Sequence, residues 1–98
     1  MTRRKYLIVE NDSIEIDPDF PAFTTGVVCA LLNIPVWVLK QLDSEGIVSP
    51  PRKNELKARL YSKRELKVIQ HCWYYMHDHG VKIKGLKIIL KLEEGKEK

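Results

Sequence analysis

The stretch from residue 24 to residue 61 places two short apolar segments between strong helix-ending signals, and this restricts the fold more than any other feature. Thr24 can cap the start of a helix, and Asn33 marks where that helix ends. Pro35 suits the first turn of a second helix of about ten residues, and Gly46 allows a left-handed stop after it. Because the link between them is short, we predict that the two helices cross steeply and need other parts of the chain to pack against.

Each of these two helices has a predicted inner side, because side chains at three- and four-residue steps share one helical face. In the first helix the predicted apolar side consists of Val27, Val28, Leu31 and Leu32. In the second helix the side chains predicted to point inward are Val38, Leu39 and Leu42, and those predicted to face a partner are Trp37, Lys40, Gln41 and Ser44. Cationic and hydrogen-bonding groups on a short exposed helix suit a DNA major groove, whereas the alternative is a helical hairpin with a solvated polar side.

A basic ribbon follows the two helices. After the break at Pro50-Pro51, a single acid, Glu55, is surrounded by the cations Arg52, Lys53, Lys57 and Arg59, and the ribbon ends at Tyr61. The net charge of +4 is uneven, since residues 24–98 carry fourteen cations against eight acids. Basic charge concentrated on one loop is typical of a polyanion binder and favours a phosphate clamp, although a solvated surface is the alternative.

The length and composition set the class of protein. Ninety-eight residues, 44% of them hydrophobic and 31% charged, allow one small globular domain. No apolar run is long enough for a membrane span, and the start of the chain lacks the apolar core of a signal peptide. We therefore expect a cytoplasmic protein with no membrane association.

The flanking segments complete the predicted architecture. Residues 6–9 and 14–16 predict a β-hairpin within an N-terminal extension, 1–23, whose role the sequence leaves open. Ser62 and Glu65 form a capping-box pattern that starts a third helix ending at Gly80, with its buried stripe at Leu66, Ile69, Cys72, Tyr75, Met76 and His79. A fourth helix is predicted over Val81 to Leu92, with Ile83, Leu86, Ile89 and Leu90 on its apolar side, followed by a charged tail, 93–98. The sequence thus predicts a mainly α domain over 24–92, with four helices and a short β wing.

Metal binding and catalysis find little support. Cys29 and Cys72 lie far apart without a CxxC spacing, so both are interpreted as structural core thiols. His71, Tyr75 and His79 align on one helical face, but no set of ligands converges around them. No nucleophile motif, phosphate-binding glycine loop or paired carboxylate is present. We expect no enzyme activity, no metal and no cofactor.

The order of these residues resembles the MerR family of winged helix-turn-helix transcription regulators over roughly residues 23–92. The matching positions are Thr24 to Asn33, Leu39-Lys40, Gly46-Ile47, Pro51-Arg52, Arg59-Leu60-Tyr61-Ser62, Leu66 and Gly80. The run from Gly80 to Leu90, with its Gly85, looks more like the heat-shock repressor (HspR) branch. The resemblance implies that the second helix enters the major groove of double-stranded DNA while the wing holds phosphates. The predicted DNA-binding residues are Thr25, Trp37, Lys40, Gln41, Arg52, Lys53, Arg59 and Tyr61, and removal of Arg59 should flatten the salt dependence by about one counterion.

The chain also departs from the family pattern. Gln41 and Leu42 replace a usual Tyr-Tyr pair, which removes a familiar phosphate contact. The long dimerisation helix of the family is absent, so we expect no small-molecule effector, and a homodimer would form through the N-terminal extension or through the third and fourth helices. The first hypothesis is a sequence-specific repressor. The alternatives are an excisionase-like architectural DNA-binding factor and a protein-interaction module whose contact surface is formed by Trp37, Trp73 and Tyr74.

Overall fold

The computed structural model describes residues 16–53 and 58–96, and this part of the chain forms four α-helices beside a three-stranded antiparallel sheet. The helices are α1 (Thr25–Leu32), α2 (Val36–Ser44), α3 (Lys63–Trp73) and α4 (Ile83–Lys96), and α3 continues directly into one π-helical turn (Tyr74–Asp78). The strands are β1 (Phe23–Thr24), β2 (Arg52–Lys53) and β3 (Ala58–Tyr61). The predicted mainly helical winged fold is confirmed, whereas the predicted N-terminal hairpin lies outside the described residues.

The sheet joins the wing to the start of α1. Strand β3 is central, with β2 on one side and β1 on the other. In the wing ribbon, Arg52 lies opposite Arg59. On the other side Phe23 lies opposite Tyr61, and the Ala22 amide donates to the Tyr61 carbonyl oxygen at 3.0 Å. Because β1 runs straight into α1, the sheet is joined directly to the first helix.

The helix pair begins and ends largely as the sequence predicts. The Thr24 hydroxyl accepts from the Val27 amide, and Asn33 adopts the left-handed conformation (φ 56°) that ends α1. The chain then turns so that α1 and α2 differ in direction by 120°, as expected of a short link. Pro35 is the N-cap of α2 and not its first helical residue, because its φ of −65° is combined with an extended ψ of 148°. Gly46 has a φ of 73° and follows the last turn of α2 as predicted.

The core lies where α1, α2, the wing and the last two helices meet. Its buried side chains are Val28, Ile34, Val38, Leu39, Leu42, Val48, Tyr61, Ile69, Cys72 and Leu86. On α1 the prediction was partly wrong, since Val27 and Leu31 are 44% and 60% exposed. The helix has only eight residues and almost all are apolar, so the pattern held no polar side from which to set the inner face.

The third helix begins with the predicted capping box. The Ser62 hydroxyl accepts from the Glu65 amide while the Glu65 carboxylate accepts from the Ser62 amide. The predicted stripe is buried at Ile69 and Cys72, but its last member, His79, is exposed. The π-helical turn explains the error, because a wider turn shifts all later side chains away from the 3.6-residue repeat on which the prediction rested.

The fourth helix is longer than predicted and ends at Lys96. Glu93, predicted to belong to a solvated tail, accepts hydrogen bonds from the Tyr75 hydroxyl at 2.6 Å and from His71 Nε2 at 2.9 Å. These contacts hold the end of α4 against α3. No single helix in the described ranges is long and apolar enough to cross a membrane, and α1 with α2 meets that test only as a bent pair.

Residues 17–22 run beside β3 and the start of α3. The Arg64 amide donates to the Pro18 carbonyl oxygen at 3.0 Å. The Arg64 guanidinium forms an exposed ion pair with Asp19, in which Nε lies 2.6 Å from Oδ1. This ion pair holds the pKa of Asp19 below its usual value near 3.8. The last part of the predicted extension therefore packs along the wing side of the domain.

Candidate nucleic-acid interface

The outer side of α2 carries the first group of predicted site residues. Val38, Leu39 and Leu42 are buried, as predicted, and they anchor the helix in the core. Lys40 is exposed, and Gln41 is half-buried beside it. The arrangement leaves a cation and an amide on the accessible side of a helix whose other side is fixed.

Trp37 occupies a different environment from Lys40. Its side chain is 54% exposed, and its ring meets the Trp73 ring edge to face, with centroids 6.2 Å apart and planes at 77°. The contact links the start of α2 to the end of α3. The described residues thus place Trp37 against α3, whereas the sequence suggested that it faces a partner.

Arg59 lies at the base of the wing and is largely enclosed. Its Nη2 lies 3.0 Å from Asp43 Oδ2, and its Nη1 donates to the Pro50 carbonyl oxygen. The two side chains of the ion pair are only 19% and 22% exposed. A guanidinium with two such partners ties β3 to the end of α2 and to the loop between them, and its charge is already matched by a carboxylate.

Asp43 was not recognised from the sequence as a site residue. Its second carboxylate oxygen, Oδ1, accepts a 2.6 Å hydrogen bond from the Ser49 hydroxyl, so one carboxylate bridges the wing and the loop after α2. A carboxylate on a helix that approaches DNA would be repelled by the phosphates unless a cation lies beside it. This consideration could have indicated that Asp43 pairs with a cation of the wing such as Arg59. The choice among the wing cations, however, depends on the register of β3.

Tyr61 is 2% exposed, so the structure places it in the core beneath the interface and not on the surface where a phosphate would lie. Burial raises the pKa of its hydroxyl, and a hydrogen bond shared with Thr25 acts in the opposite direction. Thr25, the first residue of α1, is half-buried. The Tyr61 ring thus packs inside the domain and its hydroxyl shares a hydrogen bond with Thr25, while contact of Tyr61 with a phosphate stays a prediction.

Arg52 and Lys53 form β2, the outer strand of the wing. Their backbones pair with Arg59 and Ala58, which fixes their position one strand outside the Arg59 ion pair. The structure thus brings the base of the wing next to the end of α2, and it places the two cations of β2 at the edge of the sheet.

The cysteine and histidine side chains form no recognisable metal centre within the described ranges. Burial, with a smaller contribution from Glu93, raises the pKa of the Cys72 thiol to about 11, so this thiol stays protonated at neutral pH. Burial also raises the pKa of the half-buried Cys29. His71 hydrogen-bonds to Glu93, and His77 Nδ1 lies 2.9 Å from Asp78. The His71 contact joins α3 to α4, whereas the His77 contact lies within the π-helical turn.

A steeply crossed helix pair that exposes its second helix, followed by a basic wing and a capped third helix, defines the winged helix-turn-helix class of regulators. Within that class the chain belongs to the MerR family, since the family model for MerR HTH family regulatory proteins matches residues 23–93. It is also 30% identical over 79 residues to the provisionally named heat shock protein HspR of Streptomyces coelicolor. That match covers 81% of this chain and 52% of the relative, so the chain spans about half the length of that curated protein. The family resemblance seen in the sequence is confirmed.

Proposed function

We propose that the chain is a sequence-specific DNA-binding repressor of transcription that inserts α2 into the major groove. The observation that carries this proposal is the position of Lys40, which is exposed on a helix anchored by three buried side chains, beside a basic wing. An α-helix fits the major groove, where base edges present distinct hydrogen-bonding patterns. Membership in the MerR family supports the same role. No catalytic role is proposed.

The proposed contacts divide between bases and phosphates. Lys40 and Gln41 would read base edges, and Trp37 would flank them from the start of the helix. Arg52 and Lys53 would hold the phosphate backbone from β2, because β2 is the edge strand of the sheet on the wing side. Thr25, whose hydroxyl is positioned by Tyr61, would contact a phosphate at the start of α1.

Arg59 takes a supporting role in this proposal. Its guanidinium pairs with Asp43, so a DNA phosphate would have to displace a carboxylate to bind it. Arg59 would instead fix the angle between the wing and α2, which determines whether Arg52 and Lys40 can contact one duplex together. Removal of Arg59 would accordingly disturb the angle between the wing and α2, and we no longer expect it to flatten the salt dependence by one counterion.

The repressor assignment and the choice of target genes rest on the relatives. The similar protein from Streptomyces coelicolor bears the name of a heat shock protein, so we propose the promoters of heat shock genes, and the chain's own upstream region, as targets. Transcription in vitro from such a promoter should fall when the protein is added before RNA polymerase. An increase in transcript would contradict repression while leaving DNA binding intact.

DNA binding is tested by fluorescence anisotropy with duplex from the chain's own upstream region and a scrambled duplex, at two salt concentrations. We expect a steep salt dependence and about a hundredfold preference for the native duplex. Steep salt dependence without preference would indicate an architectural factor. Failure to bind either duplex at low salt would overturn the proposal and favour a protein partner.

A matched pair of variants makes the same titration specific for α2. Lys40→Gln should weaken binding to the native duplex, whereas Lys91→Gln should leave it unchanged. Lys91 is also an exposed lysine, but it lies on α4, and the cavity that it lines holds three carboxylates, of Glu45, Glu93 and Glu94, with Lys87 as the other cation. Equal effects of both substitutions would show that binding depends on overall charge alone.

A homodimer through the last two helices is proposed as the assembly that binds DNA. It is supported by Ile88 and Leu92 of α4, which are 62% and 64% exposed and lie one helical turn apart. Sedimentation equilibrium should give a dimer, and Leu92→Glu should convert it to a monomer. A wild-type monomer at all concentrations would exclude this assembly.

A further inference from the structure

A groove between α2 and the end of α3 stands apart from the contacts assigned to DNA. Its volume is about 570 Å³, within the range of small-molecule sites. We call it the aromatic groove; it is lined chiefly by Trp37, Gln41, Trp73, Met76, His77 and Lys82.

Aromatic rings form two walls of this groove. Trp37 and Trp73 meet at 77°, so one presents its face where the other presents its edge. The centroid of the His77 ring lies 4.8 Å from that of Trp73, and the two rings are tilted by 32°. Planar rings prefer offset-stacked and edge-to-face neighbours at such distances, so the corner between the two indoles suits a further planar ring.

The backbone beneath the groove is unusual in the same place. The π-helical turn begins directly after Trp73 and includes His77. Such turns are rare and occur frequently at functional sites. Trp37, more than half exposed, also leaves apolar surface in water at the mouth of the groove, and this costs free energy unless something covers it.

The polar groups at the groove indicate the charge of its ligand. Among the described residues that line it, Lys82 carries a formal charge and no carboxylate is present. Gln41 supplies an amide on the α2 side. We propose that the aromatic groove binds a small planar aromatic acid, with its ring in the corner formed by Trp37 and Trp73 and its carboxylate toward Lys82. This replaces the expectation from the sequence that no small-molecule effector binds.

Occupation of the groove would affect DNA binding, because Trp37 and Gln41 belong to both surfaces. If the ligand changes the affinity for DNA, DNA must change the affinity for the ligand by the same factor. This coupling rests on the proposed function, whereas ligand binding itself does not.

The two tryptophans of the chain both line the groove, so their indole N–H signals in a ¹H–¹⁵N correlation spectrum report on its occupation in the absence of DNA. We would titrate the full chain with 2-naphthoate. We expect saturable shifts of both signals with a dissociation constant of about 1 mM or tighter. Cyclohexanecarboxylate, which lacks an aromatic ring, should bind roughly fivefold more weakly. Absence of saturable shifts up to about 5 mM naphthoate would overturn the proposal.

Matched variants test each part of the site. Lys82→Gln should weaken naphthoate binding about threefold, while Lys84→Gln, at an exposed lysine outside the groove, should not. Neutral 2-naphthamide should bind both variants equally. Trp37→Ala removes a wall and should weaken naphthoate at least about fivefold, as judged by the remaining Trp73 signal. Unchanged binding by Trp37→Ala would place the ligand elsewhere and overturn the assignment.

Anisotropy with the native duplex, with and without saturating naphthoate, separates this inference from the proposed function. A changed DNA affinity supports the shared surface. An unchanged affinity overturns the coupling while the indole shifts still establish the site. If no duplex binds at all, the proposed function fails, and the indole titration decides the groove independently.

Discussion

The outer side of α2 and the base of the wing both carry a basic side chain, but the two side chains differ in exposure and in ion pairing. Lys40 is exposed on α2. Arg59 is only 19% exposed and is held by the Asp43 carboxylate and the Pro50 carbonyl oxygen. The first cation is available to a polyanion, and the second already has an anion beside it.

This difference shows that a cation within a basic loop can orient the wing relative to a helix instead of attracting a polyanion. The Arg59–Asp43 pair joins the strand that carries the wing to the helix proposed to read DNA, and Ser49 extends the same network into the intervening loop. A residue in such a network should affect stability and geometry, whereas an exposed cation should affect DNA affinity alone.

The largest expected effect is that of Arg59→Met on stability. The substitution keeps most of the side-chain length but leaves the partly buried Asp43 carboxylate without its cation, and this should cost about 2 to 3 kcal/mol of unfolding free energy. Urea denaturation of wild type and variant measures the loss. Lys63→Met, at an exposed lysine, is the control and should change stability by no more than about 0.5 kcal/mol.

A smaller loss in the Arg59→Met, Asp43→Asn double variant than in Arg59→Met would confirm that the unpaired carboxylate is the cause. In DNA titrations Arg59→Met should leave the slope of log affinity against log salt unchanged. A slope reduced by about one unit would show that Arg59 contacts a phosphate after all and would break the contrast.

The second largest expected effect is that of a substitution on the exposed side of α2 on DNA recognition. Lys40→Gln should leave the unfolding free energy unchanged and reduce discrimination between native and scrambled duplex by about 1 to 2 kcal/mol. We place the value there because a lysine lacks the two-pronged geometry of arginine. Anisotropy titrations with both duplexes measure it. A loss of stability instead would mean that Lys40, like Arg59, belongs to the packing of the domain.

Gly46 connects the two regions and should have an intermediate effect on stability. Its φ of 73° disfavours a side chain, although a Cβ there would meet no atom within 4 Å. Gly46→Ala should therefore cost about 1 kcal/mol through backbone strain alone. Gly26→Ala is a suitable control, because Gly26 has the same free space without the left-handed backbone and lies in α1. Equal effects at the two positions would argue against strain at the turn before the wing.

The sequence predicted these regions to different degrees, for a physical reason. Thr24, Asn33, Gly46 and the Ser62 capping box act through atoms a few residues away, so the limits of α1, α2 and α3 could be found from local chemistry. The inner side of α2 was also predictable, because the polar residues Lys40, Gln41, Asp43 and Ser44 leave Leu42 as the one apolar residue in its second half.

Features that depend on distant parts of the chain escaped prediction. The π-helical turn has no sequence signature, and because of it His79 was wrongly predicted to lie on the buried side of the third helix. The partner of Asp43 lies sixteen positions later on β3, and the contact of Trp37 with Trp73 joins two helices far apart in sequence. The enclosed positions of Arg59 and Tyr61 also depend on such distant contacts, so the sequence did not indicate them.

The smallest expected effect separates an exposed ion pair from the enclosed one. Asp19 and Arg64 form an ion pair like that of Asp43 and Arg59, but their side chains are 67% and 63% exposed. The Arg64 hydrogen bond lowers the pKa of Asp19 below 3.8, so the pair stabilises the folded state fully above that pH and loses its contribution as the pH falls through the lowered pKa. Asp19→Asn should thus shift the urea midpoint slightly at neutral pH and not at all well below pH 3.8, and added salt should shrink the shift. A shift as large as that of Arg59→Met, or one that persists in acid, would show that exposure does not distinguish the two pairs and that residues 17–22 hold the domain together by other contacts.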